Sequence, residues 1–101
     1  AGEVATLNLV IKADVQGSLE PIVNSLEKID DDEVSIEILL AATGNVTESD
    51  VMLASASNAV ILGFNVVSDP IALAAAASEG VEINNYSIIC FNRNLLNKNK
   101  S

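Results

Sequence analysis

Apolar runs that alternate with helix-start signals constrain the fold of this 101-residue chain more than any other feature of its sequence. In residues 6–13, Leu7, Leu9 and Ile11 alternate with Asn8, Val10 and Lys12. That pattern predicts a strand with one face fully apolar and the other partly so. Residues 34–42 alternate and then become continuously apolar, as in a strand buried on both faces along its second half. Residues 59–64, AVILGF, read as another continuous apolar strand, central in its sheet. Val81, Glu82 and Ile83 alternate as a last strand, and the chain from Tyr86 to Cys90 continues in extended or turning form.

Between these runs the apolar spacing lengthens to three and four residues. Leu19, Ile22, Val23, Leu26 and Ile29 make one helical stripe, with Asp14 or Ser18 as its cap. Pro21 is expected in the first turn, where amide donors have no helical partner. Asp30, Asp31, Asp32 and Glu33 stop this helix, since acids at a C-terminal end oppose the macrodipole. Thr47 caps a second, short helix, with Asp50 closing a short-armed capping box and Val51, Leu53 and Ala54 facing inward. Asp69 and Pro70 start a third, alanine-rich helix that Gly80 closes as a left-handed C-cap. Helices alternating with strands make the strands parallel with right-handed crossovers, so the expected fold is α/β, a three-layer α/β/α sandwich of four strands and three helices. One domain, residues 6–90, is expected between a disordered segment, 1–5, and an Asn/Lys-rich tail, 91–101, that frays.

Composition removes whole classes of chemistry. The chain has no histidine, so His-based acid–base catalysis, Ser-His triads and His-containing zinc sites are not open to it. Its single cysteine, Cys90, allows no internal disulfide and reads as a small hydrophobe at the end of an apolar run. Aromatics are 3% of the residues, which leaves Ile, Leu, Val and Ala to build the core. No apolar stretch is long enough to span a membrane and no basic start marks a signal peptide, so a soluble, intracellular chain is expected. All 14 acids lie within residues 1–90 beside only Lys12 and Lys28, whereas residues 91–101 carry Arg93, Lys98 and Lys100. A body so acidic cannot wrap a phosphate backbone electrostatically, and any nucleic-acid contact has to be local or depend on other domains.

The strand-to-helix loops are where an α/β sheet holds ligands. The first, residues 14–18, has one glycine and a carboxylate, where a phosphate cradle needs several glycines and no acid at its mouth. The second, residues 43–47, could turn backbone amides toward an anion, but its sole glycine makes a capped loop the simpler reading. A phosphoacceptor receiver domain would need an acidic pair after the first strand and a lysine later, and no lysine lies between residues 29 and 97. The acids at 30–33 lack the alternating spacing of a calcium loop and read as a solvated charge run. Asn45, Asn58 and Asn65 stand in turns, which Asn favours for local backbone reasons. Lys12 either meets an acid or faces solvent. No set of residues forms a convincing active site; no catalytic residue, metal or cofactor is expected.

Several separated motifs do share one likeness. LNLVIKADVQGSLEPIV, TESDVMLASASNAVILGFNV and EGVEINNYSII, in that order, resemble the third domain of the bacterial-type translation initiation factor 2 family. The matching positions are residues 12–18, 47–51, 63–66 and 79–81, with Tyr86, Ile88 and Ile89, and the resemblance covers residues 6–90. It implies a sheet of order 2-1-3-4 in a non-catalytic domain. That domain positions the GTPase and initiator-tRNA-binding domains of a GTP-dependent factor on the small ribosomal subunit. GTP hydrolysis belongs to another domain of such a factor. The implied partners are the small subunit, both rRNA and protein, and the neighbouring GTPase and tRNA-binding domains. No membrane is implied, the isolated domain is expected to be a monomer, and its place is the cytoplasm, or the plastid stroma if of plastid type.

The chain departs from the family in the 90–101 tail, which replaces an acidic, leucine-rich connecting stretch. It departs again in the third helix, where Ala72 and Ala74 to Ala77 stand for charged residues and the outer face is expected to lose charge. The wording of residues 39–44 is closer to cyanobacterial or plastid members than to others. The expected partner-facing surface is the loops at one sheet end: Asp14, Val15, Gln16 and Gly17 with Thr43, Gly44, Asn45 and Val46. The alternative is a freestanding small-molecule or phosphate-binding α/β module that uses the Gly44 loop.

Overall fold

The computed structural model describes residues 5–29 and 34–87. In chain order the elements are β1 (Ala5–Ala13), α1 (Gln16–Ile29), β2 (Val34–Thr43), α2 (Glu48–Ser57), β3 (Val60–Phe64), α3 (Pro70–Glu79) and β4 (Ile83–Tyr86). All strand pairings are parallel and the sheet order is β2-β1-β3-β4, as the family resemblance implies. Segment 1–5, apart from Ala5 at the start of β1, lies outside the described residues. So do the acidic stop at 30–33, the continuation through Cys90 and the 91–101 tail.

Alternation along β1 divides the core into two layers. Leu9, Ile11 and Ala13 pack with Leu19, Ile22 and Leu26 of α1 and with Phe64. Val10, pointing the other way, packs with Val51 and Ala54 of α2, Ile61 of β3 and Ala72 and Ala76 of α3. One helix thus covers one face of the sheet and two cover the other. Phe64 and Tyr86 stack at 5.6 Å where β3 meets β4. Beside them Gly63 is fixed by space: an added Cβ would stand 2.7 Å from Asn85 Oδ1 and 3.0 Å from Val66 Cγ2.

The structure corrects five local expectations. β2 is an edge strand whose residues 35–43 are only half-buried or exposed, although both of its faces meet a helix layer. Its continuous apolar run has another cause, a bulge: Leu9 pairs with Ile38 and Val10 with Leu40, which leaves Leu39 over. Ile36 and Ile38 therefore pack on the α1 side, while Leu39 and Leu40 both pack on the α2–α3 side. Second, α1 begins at Gln16, so Ser18 is inside it, and Asp14 Oδ1 accepts from the neighbouring Val15 amide in the turn before it. Pro21 falls in the second turn; the carbonyl it cannot serve belongs to Gly17, an exposed residue. Third, Leu53 is 36% exposed, and Asp50 takes an inward place beside Val51 and Ala54. Fourth, β4 starts at Ile83 and runs to Tyr86; the Val81 amide still donates back to the Ala76 carbonyl of α3. Finally, of the alanines in α3, Ala72 and Ala76 are buried and Ala75 half-buried, so only Ala74 and Ala77 lie on the outer face.

Candidate functional site

β1, β2 and β3 each run into a helix and all point the same way, so the three loops between strand and following helix lie on one edge of the sheet. Main-chain hydrogen bonds stitch these loops together. The Gly44 amide donates to the Ala13 carbonyl at 2.8 Å, and the Asp14 amide donates to the Phe64 carbonyl at 3.3 Å. The Val46 amide donates to the Val67 carbonyl, and the Asp69 amide donates back to the Val46 carbonyl, both at 3.0 Å. Gly44 makes its turn at φ 106°, a conformation costly to a residue with a Cβ. The two loops expected to form one surface are therefore neighbours through the backbone.

Within that edge, Asp14, Val15, Gln16, Gly17, Thr43, Gly44 and Asn45 are all exposed. Val46 is not: it is fully buried in the α2–α3 layer, and its place in a contact surface is corrected. Exposed Val67 in the β3–α3 loop and exposed Ile71 at the start of α3 join the edge, two residues absent from the expected surface. Their signal was an apolar residue on either side of an Asp-Pro helix start.

Beneath the loops lies a buried ion pair. Lys12 Nζ stands 3.2 Å from Asp50 Oδ2, with both side chains almost fully enclosed. The same oxygen accepts from the Thr47 amide at 2.9 Å and from Thr47 Oγ1 at 3.0 Å, and Thr47 Oγ1 accepts from the Asp50 amide at 3.4 Å. The predicted capping box is thus present, and its carboxylate also neutralises Lys12. A lone lysine amid the apolar residues of β1 was the clue that such a partner existed, since a buried charge without one costs several kcal/mol.

These bonds decide what the β2–α2 loop can do. The amides of Gly44, Val46 and Thr47 already have acceptors inside the protein, so they are not turned toward an external anion. A phosphate cradle needs such amides free. The groove of about 370 Å³ between α1 and β2 is lined by Gln16, Leu19, Glu20, Val23, Asn24 and Ala41, an acid and no base. The geometry disfavours the phosphate-module alternative. Among the described residues, no group of His, Cys, Asp and Glu side chains could hold a metal ion, and no helix is long and apolar enough to cross a membrane.

Comparison with known proteins agrees with the motifs. The family model described as translation-initiation factor 2 matches residues 1–92. Over 88 residues, 87% of this chain, the sequence is 53% identical to translation initiation factor IF-2 of Picosynechococcus sp., where it covers 9% of that protein. It is also 53% identical to IF-2 of Geobacter sulfurreducens, covering 10% of it, so identity does not single out a cyanobacterial origin. The chain spans about a tenth of the length of these curated relatives. The crystal structure of GDP-bound aIF5B from Aeropyrum pernix superposes with a TM-score of 0.74 at 32% identity, over 91% of this chain and 15% of that one. Shared motifs, shared fold and identity across most of its length agree that this chain belongs to the translation-initiation factor 2 family.

Proposed function

We propose that this chain is a non-catalytic spacer and interaction domain of a GTP-dependent initiation factor. It holds the factor's GTPase and initiator-tRNA-binding domains in position on the small ribosomal subunit, in the cytoplasm. The observation that carries this reading is the loop edge, whose amides and buried charges are engaged with one another. Such an edge keeps its shape without a ligand, as a positioning surface must. The small share of its relatives that the chain represents supports placing nucleotide hydrolysis in another domain. The bound nucleotide in the aIF5B structure belongs to a protein of which this chain matches only 15%.

The reading is tested by sedimenting the purified chain with bacterial small ribosomal subunits, then letting it compete with intact IF-2 for them. Small interfaces of this kind bind weakly, so saturable co-sedimentation is expected with a Kd on the order of micromolar to tens of micromolar. The excess chain should also slow initiation-complex assembly. Absence of co-sedimentation at a chain concentration of about 100 μM would overturn the ribosomal assignment.

A further inference from the structure

The loop edge gathers three of the seven large apolar side chains that stand exposed among the described residues; the other four, Leu7, Met52, Leu53 and Leu73, lie on β1, α2 and α3. Three side chains that a core would normally take are exposed there: Val15 at 53%, Val67 at 65% and Ile71 at 65%. Single exposed apolar residues are ordinary, but these three come from two loops and the helix start that adjoins one of them. The Val46–Val67 and Asp14–Phe64 backbone bonds hold those segments together. The same loops and the first two turns of the helices that follow carry Asp14, Glu20, Glu48 and Asp69, each with a carboxylate that has no cationic partner among the described residues. The only described cations are Lys12, which is buried against Asp50, and Lys28, in the last turn of α1 at the opposite edge. Three helix N-termini point this way and each contributes roughly half a positive charge. That offsets fewer than half of the four carboxylates, and among the described residues the edge stays negative.

We infer that this edge docks a cationic protein surface with an apolar centre, and does not contact RNA. The inference rests on the ribosomal reading above and sharpens it, choosing between the subunit's two kinds of polymer. Phosphate facing an edge of this sign would be repelled. A basic protein surface meets both of its features, with lysines and arginines opposite the acids and apolar side chains over Val15, Val67 and Ile71.

The test labels the 101-residue chain at its N-terminal amine, ahead of the start of β1, and follows fluorescence anisotropy. The chain is titrated with small subunits, with rRNA freed of protein, and with the subunit's proteins freed of RNA. Val67→Ser/Ile71→Ser should weaken binding to subunits about tenfold, through apolar contacts alone. Asp14→Lys/Glu20→Lys should weaken it as well, and Glu20→Lys by itself serves if the pair unfolds. The free protein fraction should bind and the free rRNA should not. Tighter binding by the lysine variants, together with binding to free rRNA, would show an RNA partner and overturn the inference. Unchanged affinity of every folded variant would overturn the surface assignment while leaving the ribosomal reading in place. Failure of the unaltered chain to bind subunits would remove that reading and this inference with it.

Discussion

Helices α2 and α3 lie on the same face of the sheet and are held there by opposite means. α2 has three serines, an aspartate and a valine in ten positions and is held at both ends by β1. Lys12 binds Asp50 near its start, and Asn8 Nδ2 donates to the Ser57 carbonyl at its end, at 2.9 Å. The two anchors are four residues apart on a strand, about 13 Å at 3.3 Å per residue. The groups they hold are seven residues apart on a helix, about 10.5 Å at 1.5 Å per residue. The similar spans let one strand face grip a whole helix. α3 needs no such grip. Pro70 starts it, five alanines carry it, Gly80 ends it in the left-handed region, and its N-cap Asp69 makes no side-chain capping bond. Tertiary contacts hold the first helix, and local preference forms the second.

The largest effect should come from breaking the grip on α2. Asp50→Ala removes the capping box and strands Lys12 as a buried, unpaired charge, and should cost about 3–5 kcal/mol in urea unfolding. Lys12→Met should cost less, about 1–3 kcal/mol, because Asp50 keeps both Thr47 donors. A double-mutant cycle between the two checks the ordering, and additivity would show that the pair is not coupled. On α3, exposed Ala74→Gly should cost only about 1 kcal/mol, through backbone entropy. A loss as large as that of Asp50→Ala would show that α3 also depends on its surroundings. Asp69→Ala should be smallest, about 0.5 kcal/mol by the same measurement, since only its charge near the helix N-terminus is lost.

The same division separates what was legible in the sequence. The element order, the Thr47–Asp50 box, the Gly80 cap and the apolar stripe of α1 were readable because each depends on neighbours within a few residues. The β2 bulge was not. A run such as Ile38-Leu39-Leu40 looks the same whether it is buried on both faces or interrupted by one unpaired residue. The candidate surface was half legible. Asp14 to Gly17 and Thr43 to Asn45 belong to it by loop position alone, whereas Val67 and Ile71 belong to it because the β3–α3 loop lies beside Val46.

By itself the sequence determined the α/β class, through periods of two and of three to four separated by caps, and the family, through motifs kept in order. The tertiary structure decided which charges are buried and which side chains share a surface. Lys12 and Asp50 are 38 positions apart and meet only because β1 lies beneath α2. Val15 and Val67 come to one edge only because parallel strands all end on the same side. Periodicity is a property of neighbours along the chain, whereas an ion pair or a docking edge is set by the order in which strands lie side by side.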